Sequence, residues 1–455
     1  MTAPLTSGPT LEELAAELES GRITSRSLVE KCLSRIDDPA GEGSKAFIAV
    51  AAAKALALAD AFDALRANGA APSRFAGIPI SVKDLFDLAG EVTRAGSVVL
   101  ANAPAAAADA EAVRLLKRAG FIVIGRTNMS EFAFSGLGLN PHYGTPRGVW
   151  DRKTGRVPGG SSSGAAVSVV DGMAHAGLGT DTGGSCRIPA AFNGIVGFKP
   201  TASRVSKAGA VPLSQTLDSV GPLARSVSCC MVLDDILAGG EPSRPEPVRD
   251  VRGLRVFAPS NYFLDGADSA VTFAFRHALT ILIKAGAQVS EGEFDELGEI
   301  PTINRKGGFP AAESYAWHSE LIARSPEAYD PLVITRIKRG LEQTAADYVR
   351  LKAERENFVD RVAKRLAAFD VVAFPTTPIV PPGIAECATP DDFGRFNILC
   401  LRNSTAVNMW DGCAISLPIK TLDGTPVGLT LASTGGRDKE LLKWAAAVEQ
   451  VFARS

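Results

Sequence analysis

The chain has 455 residues, 46% of them apolar and 22% charged, enough for a large core without a disulfide or metal staple. Its formal net charge is −2, from 48 basic and 50 acidic side chains. That balance attracts no polyanion, and the basic runs at 114–118 and 361–365 fall at helical spacing as solvated faces, so no nucleic-acid partner is expected. Seven cysteines with no Cys-x-x-Cys pair exclude a disulfide framework and a zinc site and suit a reducing cytoplasm. No apolar run is long enough to span a membrane, and the first residues carry no secretory pattern.

Residues 1–9 read as a disordered tail and 10–455 as one continuous unit. Thr10 and Glu13 form a capping box that opens a helix to about Ser20, and a second amphipathic helix runs to about Ile36. The alanine-rich stretch 46–65 predicts a third helix. From about residue 75 strands and helices alternate: a short apolar strand at 77–82, an amphipathic helix at 110–119, a buried strand at 121–125, a small-residue helix at 164–170 and a strand at 176–180. The proline-rich stretch 242–247 reads as a surface connector. Strands follow at 254–258 and 371–374, long helices at 265–285 and 340–368, and a hairpin-like pair at 413–418 and 427–432 before a helix at 438–452. This alternation predicts an α/β chain, a central sheet with helices packed on it.

Three segments carry chemistry. Lys83 ends the apolar strand Gly77-Ile78-Pro79-Ile80-Ser81-Val82-Lys83. Ser161 lies in the turn Gly159-Gly160-Ser161-Ser162-Ser163-Gly164, and Ser185 in Thr182-Gly183-Gly184-Ser185-Cys186-Arg187. A desolvated lysine loses its proton readily and can serve as a base, and a serine needs an adjacent base to become a nucleophile. Glycines in the second turn let successive N–H groups converge on one point, as an oxyanion requires. Such a set needs no metal or cofactor. Each segment also has a plainer reading: a surface lysine, a flexible serine linker and a capped strand-to-helix turn. None of the four histidines (His142, His175, His277 and His318) adjoins a nucleophile turn, which argues against a Ser-His-Asp arrangement.

Together the three segments resemble the amidase signature family of serine amidohydrolases. The likeness extends through Gly125-Arg126-Thr127-Asn128-Met129-Ser130-Glu131-Phe132-Ala133, Gly197-Phe198-Lys199-Pro200-Thr201 and Leu217-Asp218-Ser219-Val220-Gly221-Pro222, and is strongest over about 75–230. The resemblance implies a large mixed, mostly parallel central sheet surrounded by helices. It implies that Ser185 is the acyl-accepting nucleophile, that Ser161, held by a cis peptide, bridges it to neutral Lys83, and that the N–H groups of Thr182, Gly183, Gly184 and Ser185 form the oxyanion hole. Asp181 and Arg187 would pair to hold the loop.

Two departures stand out: Ser163 replaces a frequent glycine, and Met409-Trp410-Asp411-Gly412-Cys413-Ala414 replaces the family's Gly-x-Pro-Ala. The expected reaction is hydrolysis of a small carboxamide. The alternative is a glutaminase component of a tRNA-dependent amidotransferase, which the motifs share. A homodimer is compatible with the family. Candidate pocket residues are Met129, Phe132, Phe134, Gly160, Trp410 and the stretch 309–318 with Glu313, Tyr315, Trp317 and His318. Their aromatic members would suit an aryl or indolyl acetamide, and their polar members a urea-derived acid; the same stretch also reads as a helix packing its aromatic face on the core.

Overall fold

The computed structural model describes residues 8–241, 250–421 and 423–454. The first seven positions of the expected tail and the connector at 242–247 lie outside the described residues. At the start of the described chain Thr10 and Glu13 make the reciprocal capping box, which opens the helix Leu11–Glu19.

Among the described residues eleven strands build one sheet: β1 (Phe47–Val50), β2 (Pro79–Lys83), β3 (Ile122–Thr127), β4 (Ala176–Asp181), β5 (Val196–Lys199), β6 (Ser219–Ala224), β7 (Arg255–Pro259), β8 (Gln288–Gly292), β9 (Val371–Pro375), β10 (Cys413–Ile419) and β11 (Val427–Ser433). Their order is β1-β3-β2-β4-β6-β5-β10-β11-β9-β7-β8. Parallel pairing is confined to β3-β2-β4 and β9-β7-β8. The other six neighbouring pairs are antiparallel, including the β10–β11 hairpin. The sheet is mixed, as expected, but mostly antiparallel, which corrects the expected excess of parallel strands: β5, β6 and the hairpin insert between the two parallel groups. The helix expected over 46–65 is also corrected. Phe47–Val50 is an edge strand, and the helix runs over Ala52–Ala67.

The helix Ser163–Val170 is built of small and β-branched residues and packs closely on β2 and β4. Those two strands run parallel, with Ser81 opposite Gly177 and Val82 opposite Leu178, so they end at the same edge of the sheet. Lys83 closes β2 and Asp181 closes β4 there. Carboxyl ends of parallel strands are where such sheets carry their sites. No helix among the described residues is long and apolar enough to cross a membrane, and all seven cysteines are buried and unpaired.

Candidate active site

Lys83 is fully buried and has two polar partners. Its Nζ donates to Ser161 Oγ at 2.7 Å and to Thr180 Oγ1 at 2.8 Å. Burial pushes its pKa down to about 8, because an ammonium loses its hydration there. Thr180, on β4, lies in the segment Gly179 to Pro189 that carries the second glycine turn but has no role in the sequence reading; the parallel register of β2 and β4 is what brings it to Lys83. The Gly160–Ser161 peptide bond is cis. Gly160 donates its N–H to the Gly136 carbonyl at 2.8 Å, and a Cβ there would come within 2.5 Å of Gly138 N, so the position admits no side chain. Ser162 and Ser163 turn to the carbonyls of Thr180 and Asn128.

The second turn is fixed by a buried ion pair. Arg187 donates through Nε and Nη2 to the two carboxylate oxygens of Asp181, at 3.0 and 2.8 Å, with neither side chain exposed. Burial opposes the charge on Asp181, but the guanidinium overrides it and holds the carboxyl at about 2. Asn408 braces both partners, accepting from Arg187 at 2.7 Å and donating to Asp181 at 3.1 Å. Asp181 also accepts the N–H groups of Gly184 and Cys186.

The Gly183–Gly184 peptide is therefore pinned from both sides. Its carbonyl accepts from Ser404 and Thr405, and its N–H is committed to Asp181 at 2.9 Å. Of the four N–H groups expected to face an oxyanion, that of Gly184 is thus already engaged by Asp181. Gly184 has φ +135°, and a Cβ there would clash with Ser404 Oγ, so only glycine fits. Ser185 is 3% exposed.

A carboxylate network supports the same turn. Thr182 Oγ1 donates to Asp218, which also accepts the N–H groups of Leu213 and Ser214. Burial pushes the Asp218 carboxyl up to about 6. Ser214 and Thr216 donate onward to Glu313, which also accepts from Tyr348 at 2.7 Å. Glu313, a candidate pocket residue in the sequence, instead ties the helix Gly308–Arg324 to the 213–218 loop.

Beside Thr180 and Thr182 opens a cavity of about 490 Å³, walled in part by Leu85, Ala133, Val211 and Trp317. Of the pocket candidates, Trp317 lines it; Met129, Phe132, Gly160, Tyr315 and Trp410 do not. Met129 is buried, and its carbonyl accepts from Asn140. Phe132 packs behind the wall, on Trp317, His318 and Tyr329. Phe134 offers its carbonyl to Arg336. Tyr315 packs its Cβ against Gly340, and Phe309 is buried against Tyr348. Trp410 is 1% exposed, donates to the Ser433 carbonyl and packs on Phe294, so its bulk fills the core.

The sequence matches the family described as Amidase over residues 27–442. It is 36% identical over 451 residues to a 2-amino-5-chloromuconic acid deaminase of Comamonas testosteroni, covering 98% of this chain and 96% of that one. It is 34% identical over 481 residues to one component of the Glutamyl-tRNA(Gln) amidotransferase of Anaeromyxobacter dehalogenans, covering 97% and 95%. A crystal structure of an amidase superposes with a TM-score of 0.87 at 32% identity, covering 98% of this chain and all of that one. Matches of this length place the chain in the Amidase family: it is an amidase-signature hydrolase acting on C–N amide bonds.

Proposed function

We propose that the protein hydrolyses a small carboxamide through an acyl-enzyme on Ser185, with Ser161 and Lys83 as relay and base. The observation that carries this reading is the contact of a fully buried Lys83 Nζ with Ser161 Oγ at 2.7 Å. In the neutral state the amine takes the Ser161 proton as Ser161 takes that of Ser185, and Ser185 Oγ attacks the carbonyl carbon. The N–H groups of Thr182, Gly183 and Ser185 hold the oxyanion, oriented by the pinned Gly183–Gly184 peptide. Collapse breaks the C–N bond, and the relay returns the proton to the departing amine or ammonia. Water then attacks the acyl carbon as its proton passes through Ser161 to Lys83; collapse breaks the Ser185 Oγ–acyl bond, the proton returns by the relay to Ser185, and the acid leaves.

The test is ammonia release from a panel of primary amides, with Ser185→Ala as the blank. The panel holds short aliphatic amides, aryl acetamides, monoamides of diacids, biuret derivatives and glutamine. Release that depends on Ser185 is the expected result; release that survives Ser185→Ala overturns the reading. The likeness to an amidotransferase component favours a second reading, a glutaminase that works within an assembly. It requires glutamine-derived ammonia only when a partner protein is added, and no turnover of other amides by the protein alone.

A further inference from the structure

The cavity beside Thr180 and Thr182 is walled by two charged side chains, Asp218 and Lys207, and they differ in what they have left to offer. The Asp218 oxygens are occupied by the hydroxyl of Thr182 and the N–H groups of Leu213 and Ser214. Lys207 donates one hydrogen bond, to the Gln215 carbonyl at 2.6 Å, and makes no ion pair among the described residues. An ammonium carries three N–H donors, so two remain.

The segment that carries Lys207 is also fixed relative to the base. Val211 donates to the Leu85 carbonyl, and Asp87 donates to the Gly209 carbonyl, so residues 207–211 are stitched to the stretch that follows Lys83. The remaining wall is largely apolar, with Leu85, Ala133, Val211, Pro212 and Trp317. Apolar walls, the threonine hydroxyls and one cation with free donors, beside an Asp218 carboxylate already engaged by the protein, orient a ligand that has a short carbon body and a negative end.

We propose that Lys207 binds a carboxylate on the substrate, so that the preferred substrates are amides that carry a second, ionised carboxyl group. This inference rests on the hydrolysis proposed above. Lys207 acts on recognition, and its effect belongs in KM more than in kcat.

The test pairs the monoamides of malonic, succinic and glutaric acids with their uncharged diamides, in the wild type, Lys207→Met and Lys207→Arg. In the wild type kcat/KM for one monoamide exceeds that of its diamide by about 10-fold or more, mainly through KM. In Lys207→Met that ratio falls towards one, and Lys207→Arg restores most of it. Calorimetry on Ser185→Ala supplies a readout that needs no turnover: one of the three diacids binds, more weakly as salt is raised, and binding is lost in Ser185→Ala/Lys207→Met. Equal use of charged and neutral amides, a ratio unchanged in Lys207→Met, or failure of all three diacids to bind would overturn the assignment. Lys207-dependent binding of a diacid without Ser185-dependent hydrolysis of any amide would sink the hydrolytic reading and leave the carboxylate site standing.

Discussion

Lys83 and Lys199 are both buried, at 0% and 1% exposed, and burial lowers the pKa of each to about 8. What surrounds them differs. Lys83 meets two hydroxyls, those of Ser161 and Thr180. Lys199 meets two carbonyl oxygens, those of Pro200 at 2.8 Å and Gly412 at 2.6 Å. A carbonyl only accepts, whereas a hydroxyl accepts or donates. When Lys83 loses a proton, the Ser161 hydroxyl can turn and donate to the free lone pair; neither partner of Lys199 can do so. Desolvation makes an amine available as a base, and the chemistry of its neighbours decides whether a proton can be passed on.

Removing each lysine in turn separates the two roles. Lys83→Met is expected to lower kcat by about 10³-fold or more, with circular dichroism unchanged. Asp181→Asn, which leaves the Arg187 guanidinium buried without its carboxylate, is expected to cost about 3–5 kcal/mol of stability in a denaturant titration. Lys199→Met strands two buried carbonyls and is expected to cost about 1–3 kcal/mol, while kcat falls far less than in Lys83→Met. Equal loss of turnover in the two lysine variants would erase the distinction between them.

The Lys83–Ser161 contact and the Asp181–Arg187 pair were legible in the sequence because their residues sit in short motifs. Each motif alone has a plainer reading, but the lysine that closes an apolar strand, the two serine-bearing glycine turns and the Asp181 and Arg187 that flank the second turn take on one meaning in combination. The pocket was not legible. Trp317 reaches the cavity while Tyr315, two positions earlier, does not, and only the seating of the helix Gly308–Arg324 decides that. Glu313 reads in the sequence as poised for a ligand and anchors a loop, because Ser214, Thr216 and Tyr348 converge on it from segments far apart in the chain. Trp410 stands out as a departure from the family pattern and fills the core. In the fold, β1 escaped because four residues beside an alanine-rich helix show no period, and the strand pairs only with β3. Alternation around β2, β3 and β4 reads as parallel pairing and is so, but nothing in β5 or β6 announces that they run the other way.

The most direct measurement needs no knowledge of the substrate: the rate at which a sulfonyl fluoride labels the enzyme as pH is varied, with the modified peptide identified by mass spectrometry. The pKa of Lys83 lies at about 8, so the amine is mostly protonated below that pH and neutral above it. At pH 7 roughly a tenth of the molecules hold the competent base, so labelling rises with pH through about 8 and then levels. The expected result is one label, on Ser185, with that profile, and the profile is lost in Lys83→Met. Labelling at another serine, or a Ser185 rate that ignores both pH and Lys83, would contradict the assignment of Lys83 as the base that activates Ser185.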